Sequence, residues 1–176
     1  MKFTKEKWKT WWWYHRFHVL IVAAGLAVII YSFLPNLLAD KPDYSLAVAS
    51  RVPLSEETIA VLCDRLTAAA DDRNGDGRIL VEISSYVLDL SGKTEGYLNY
   101  QGASAFDADL VGKKSSLLLF DDADGFLSNV AVPVEEIISC DTLPKLAAIL
   151  PEGYFLTVRS DSDALPVLRR FVEAAA

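Results

Sequence analysis

Residues 17–39 contain no Asp, Glu, Lys or Arg, and the stretch 19–34 within them is almost wholly apolar. A ~30 Å hydrocarbon layer needs about 20 such residues at 1.5 Å each, so this segment is long enough to cross one. Its flanks agree. Trp8, Trp11, Trp12, Trp13 and Tyr14 precede it, and Tyr31 and Phe33 lie near its far end. Indole and phenol rings favour the headgroup region, so these residues read as two interfacial belts.

Charge is divided by the same segment. Lys2, Lys5, Lys7, Lys9 and Arg16 against Glu6 give the first 16 residues +4, which leaves −11 on the rest of a chain of net charge −7. Basic residues before the span place the N-terminus in the cytoplasm and the acidic body outside. The expected organisation is a basic, Trp-rich segment 1–16, a transmembrane helix 17–39 and an extracytoplasmic domain 40–176. A cleaved signal peptide is the rival reading. Its apolar core is usually shorter and followed by small residues, whereas here Leu37-Leu38-Ala39 puts a bulky side chain at the best candidate site. An uncleaved single-pass anchor in the cell membrane is the expectation, with the lipid bilayer as first partner. The acidic body argues against nucleic acid, whose binders need a basic face.

Beyond a short polar linker at 40–43, apolar runs at 44–49, 78–84, 115–120 and 154–159 read as strands. Ser55 reads as the N-cap of a helix reaching about residue 70, with Glu56 and Glu57 in its first turn. Gly92, Gly96 and Gly102 break up residues 91–114, within which 103–111 can form a helix. Residues 142–150 read as a short helix, and a last helix starts near 163 with Pro166 in its first turn. Strands apolar on both faces alternating with helices predict an α/β fold, a compact three-layer domain with a mostly parallel sheet of about four to five strands.

The most specific stretch is DDRNGDGR, residues 71–78. In calcium-loop order Asp72 takes position 1, Asn74 position 3, Asp76 position 5, Gly77 position 6 and the Arg78 carbonyl position 7. Position 12 falls on Ile83, which has no side-chain oxygen, and Glu82 is the nearest acid. The loop resembles those of EF-hands and dockerin modules over residues 72–77 only, without their exiting helix. The alternative is a helix-to-strand turn in which Asn-Gly and Asp-Gly supply left-handed backbone. Calcium, bracing a turn rather than catalysing, is thus one of two readings of this loop.

Open parallel sheets take ligands beyond the carboxyl ends of their strands. On the parallel expectation those ends carry Asp121, Asp122 and Asp124 together with Arg159, at the edge opposite the acidic loop. Asp122-Ala123-Asp124 resembles the D-x-D element of sugar-nucleotide glycosyltransferases, but D-x-D occurs freely in loops. Both histidines, His15 and His18, lie at the membrane edge, so no Ser-His-Asp or Cys-His set can be built in the body. Cys63 falls on the apolar face of the first domain helix with Ile59, Leu62 and Leu66. That spacing makes a buried free thiol at least as good a reading as a bridge to Cys140.

Taken together, the Trp-rich basic head, the anchor, YSLAVASR, DDRNGDGRILVEI, SSLLLFDDADGF and GYFLTVRS resemble a group of single-pass bacterial membrane proteins typical of Gram-positive gut anaerobes. Their ectodomain looks like one lobe of an extracellular solute-binding protein. The resemblance implies a membrane location and an α/β lobe, and implies no activity. Solute-binding proteins close two lobes on a ligand, and this chain has room for one. The functional expectation is a membrane-anchored binding or interaction module, contacting an extracellular or membrane protein or a ligand. The alternative is a small metal-dependent enzyme using residues 121–124.

Overall fold

A computed structural model of the chain describes residues 5–38, 41–91 and 97–176. The expected end of the span at Ala39, the linker residue Asp40, and the breakers Gly92 and Gly96 lie outside these. The chain forms two compact units, Met1–Asp40 and Lys41–Ala176. The first contains one helix, α1 (Lys5–Leu38). Within it, Trp11–Ser32 is a 22-residue stretch long and apolar enough to cross a membrane, and none of that stretch is buried in protein. Such an N-terminal helix is compatible with a membrane anchor or a signal sequence. Along its first turns the Trp8 and Trp12 rings stack at 5.9 Å, and Arg16 lies over the Trp13 ring at 4.1 Å.

The second unit runs β1 (Tyr44–Ser50), α2 (Glu56–Ala69), β2 (Val81–Val87), α3 (Tyr97–Gly112), β3 (Leu117–Phe120) and α4 (Ala123–Asn129). It continues through β4 (Ile138–Ser139), a 3-10 turn at Cys140–Thr142, α5 (Pro144–Ala147), β5 (Phe155–Val158) and α6 (Leu165–Ala175). One five-stranded sheet has the order β2-β1-β3-β5-β4. β1 is parallel to β2 and β3, but β5 is antiparallel to both β3 and β4. The sheet is therefore mixed, with two parallel and two antiparallel pairings, where a mostly parallel one was expected; β5 alone runs against the rest. A strand covered on both faces shows the same unbroken apolar run in either direction, so its composition cannot report its sense.

Both faces are covered. Tyr44, Leu46 and Val48 of β1 point into a core with Leu62 and Leu66 of α2, Leu146 of α5, and Val167, Leu168 and Phe171 of α6. Ala47 and Ala49 point the other way, into a core with Phe106 and Leu110 of α3 and Phe126 of α4. Small residues in β1 leave room there for the Phe120–Phe126 stack, whose ring centroids are 4.1 Å apart. Ser55 caps α2 as expected, its Oγ accepting the Thr58 N–H at 3.1 Å. Cys63 and Cys140 are free thiols, the second fully buried. Burial, reinforced by Asp141, pushes the Cys140 thiol up to about 12, which makes it a poor nucleophile at neutral pH.

The elements depart from the sequence reading at several points. β2 starts three residues later than expected, because residues 78–80 belong to the acidic loop; Ile79 and Leu80 are 39% and 43% exposed. α3 runs straight through Gly102, which sequence alone reads as a breaker. α4 is a helix that the sequence reading did not include, capped by Asp122, whose Oδ1 accepts the Gly125 N–H at 2.9 Å.

Candidate functional site

The reversal of β5 redistributes the expected site residues. Its carboxyl end carries Arg159 to the edge where β1 and β3 begin, which is also where the acidic loop enters β2. Arg159 thus parts from Asp121, Asp122 and Asp124 and joins the loop it was expected to oppose. The grouping of Arg159 with the carboxylates is corrected on this ground.

At that edge, Asp43 organises the loop. It is buried just ahead of β1, and its Oδ1 accepts the N–H groups of Arg73 (2.8 Å) and Asn74 (3.0 Å) while Oδ2 accepts that of Leu80 (2.8 Å). One carboxylate thereby ties both ends of the loop together. Burial acts to raise its pKa, but the backbone donors of Leu80, Asn74 and Arg73 outweigh it, and the net value lies below the ordinary carboxylate range.

Within the loop, Asp72 accepts the N–H of Gly75 through Oδ1 (2.7 Å) and that of Gly77 through Oδ2 (2.8 Å). Asn74 Oδ1 accepts Asp76 N–H at 2.8 Å, and Asp76 Oδ1 accepts Arg78 N–H at 2.8 Å. Gly75 and Gly77 have φ of +74° and +83°, the left-handed values that such turns demand. Asp71, outside this ring, forms a forked pair with Arg170 of α6, with Nη1 to Oδ1 at 2.7 Å. Glu82 does not close the loop. Its carboxylate takes Lys114 Nζ at 2.6 Å, so the expected metal set loses its distal acid to an ion pair. What remains of that set is Asp72, Asn74, Asp76 and the Arg78 carbonyl.

Beside the loop a cleft of about 370 Å³ is lined by Asp43, Arg73, Lys113, Lys114, Arg159 and Asp161, with Ser45, Ser115 and Ser116 among its remaining walls. Arg159 is only 4% exposed. Its Nε and Nη2 donate to Asp161 at 3.1 and 3.2 Å, and its Nη1 donates to the Leu110 carbonyl of α3 at 2.9 Å. Lys113 reaches the same Asp161 at 2.7 Å, and Arg73 pairs with Asp163 at 2.9 Å. The Lys113 ammonium first and Arg159 second hold the Asp161 carboxyl below its usual range. These pairs join the acidic loop, the α3–β3 turn and the β5–α6 turn at one end of the sheet.

Sequence reasoning missed the group beneath. Asp109 of α3 is buried and accepts Tyr86 Oη (2.6 Å), Ser115 Oγ (2.8 Å) and Ser115 N–H (2.9 Å). Burial, together with the bond to Asp109, raises the Tyr86 phenol to about 12. Asp109 sits within an apolar stretch and follows no motif; only its helical register with Phe106 and Leu110 hinted that it faces inward.

The opposite edge does not gather its carboxylates. Asp121, with an 11% exposed side chain, takes the Arg51 N–H at 2.9 Å and Arg51 Nε at 3.1 Å through Oδ2. Its Oδ1 is buried without a hydrogen-bond partner among the described residues. Asp122 is spent on the helix cap, and Asp124 lies exposed in the first turn of α4. The comparisons add no assignment: the chain matches no family model, no curated protein and no solved structure.

Proposed function

We propose that this protein is a membrane-anchored, extracytoplasmic binding module. On this reading α1 spans the bilayer once with its basic end in the cytoplasm, and the charged cleft at the loop 71–80 edge is the contact surface. The observation that carries the proposal is the pairing of an unburied 22-residue apolar helix with a separate unit that has its own two cores. A segment that apolar has no use in water, and a unit with its own cores needs no support from it. The partner suited to the cleft is polar, because its walls are ion pairs and hydroxyls rather than an apolar pocket.

The test is sidedness. The full chain is expected in the membrane fraction and to resist alkaline extraction. Protease added from outside should digest residues 41–176 and spare the basic head. Release of a processed, soluble domain, or protection of that domain from external protease, overturns the proposal.

Calcium enters as a subsidiary proposal, favoured by the closed ring of turns that Asp72, Asn74 and Asp76 form with two left-handed glycines. Millimolar calcium is expected to raise the melting midpoint of the detergent-solubilised chain over EDTA, and Asp76→Ala to abolish the rise. A midpoint indifferent to calcium in the wild type removes it. The enzyme reading is not advanced, since Asp121 and Asp122 are committed to Arg51 and to the α4 cap.

A further inference from the structure

Of the four asparagines, Asn36, Asn74, Asn99 and Asn129, one precedes glycine. Asn74-Gly75 lies in an exposed loop, and a glycine successor leaves the next backbone nitrogen unhindered by a Cβ. In such a pair the Gly75 nitrogen can attack Asn74 Cγ. The N–Cγ bond forms, the Cγ–Nδ2 bond breaks, and ammonia leaves with the Gly75 proton. Water then opens the cyclic imide at either carbonyl, giving aspartate or isoaspartate. No oxidant, reductant or other co-reactant is needed.

The folded loop holds every atom this reaction must move. The nucleophile, Gly75 N, has its proton on Asp72 Oδ1 at 2.7 Å. A carboxylate acceptor makes that hydrogen bond a strong one, and its charge opposes a negative nitrogen beside it. The carbonyl, Asn74 Oδ1, is turned onto Asp76 N–H at 2.8 Å, in a ring that closes on residue 76 rather than on residue 75. The leaving group, Nδ2, is anchored to the Lys41 carbonyl at 3.1 Å. The backbone is fixed from outside by Asp43, which takes the Asn74 N–H itself at 3.0 Å.

We infer that Asn74 is a deamidation site gated by the fold: the closed loop suppresses imide formation, and local opening releases it. The Asp43 and Asp72 carboxylates are the gate. Each product adds a negative charge to an already acidic loop, and isoaspartate also adds a methylene to its backbone. The isoaspartate product breaks the turn register that Asp43 enforces, so opening becomes permanent. This inference is independent of the proposed function.

The test is peptide mapping by mass spectrometry of the full chain in detergent, incubated at mildly alkaline pH. Its arms are native protein, protein unfolded in urea, and the variants Asp72→Ala, Asp72→Asn and Glu152→Ala. Local opening that costs even modest free energy predicts at least about tenfold slower modification in the native arm than in urea. Asp72→Ala should close most of that gap with the circular dichroism of the fold retained. Asp72→Asn, which keeps an oxygen but not the charge, should fall between and serves if the alanine variant does not fold. Glu152→Ala, exposed in the turn before β5, touches none of the three held atoms and should stay near the native rate. Equal rates in the native and urea arms overturn the inference. So does a folded Asp72→Asn or Asp72→Ala protein that modifies at the native rate.

Discussion

Asp43 reads in the sequence as part of a linker. In the fold it is the residue on which the acidic loop depends, because its acceptors meet N–H groups 30 to 37 positions away. No local pattern announces a contact of that span; the strand that follows was legible and the carboxylate ahead of it was not. Its depressed pKa makes a signed prediction. A carboxylate whose folded pKa lies below the unfolded value of about 3.9 contributes stability that is present above that pH and lost as pH falls through the folded value. Asp43→Asn should therefore flatten the acid limb of the stability curve below about pH 4. It should also cost about 1–3 kcal/mol at neutral pH, the scale of charge-assisted hydrogen bonds left unmade. Urea melts of the full chain in detergent across acidic pH, followed by circular dichroism, check both. An unchanged acid limb in the variant would remove Asp43 from the account of acid stability.

At the scale of elements, Gly102 shows how a correct local rule can mislead. Glycine lowers helix propensity, so Gly102 argues for a break, yet α3 passes through it without interruption. A Cβ placed there would stand 2.0 Å from the Val87 carbonyl oxygen of β2. The glycine is a packing residue that lets a helix lie directly against the edge strand's backbone. In an exposed helix Gly→Ala stabilises by about 1 kcal/mol; here the sign should reverse. Gly102→Ala is expected to lose about 1–3 kcal/mol through the forced separation of α3 from β2, measured as a fall in urea midpoint. A stabilised variant would mean that the two elements separate at little cost. The start of β2 was misread for a related reason. Ile79 continues the alternation of Val81 and Ile83, and only the Asp43–Leu80 bond shows where loop gives way to strand.

For the whole molecule, the apolar N-terminal helix and the α/β character of the rest were legible because each follows from periodicity and run length. Strand direction was not. β5 carries the same kind of apolar run as β1 and β3, yet it runs against β3, entered through a turn at residues 151–154 where Gly153 takes φ of +85° and the Tyr154 carbonyl accepts Cys140 N–H. That reversal brought Arg159 to the acidic loop and made the cleft, so the candidate site was readable residue by residue but not as an assembly. The division into two units has a spectroscopic consequence. All four tryptophans stand at positions 8 to 13, in the first unit, while residues 41–176 contain tyrosine but no tryptophan. Indole emission from the native chain is therefore a report on the head of α1 alone. It should follow that helix between water and lipid, and stay silent while the domain melts.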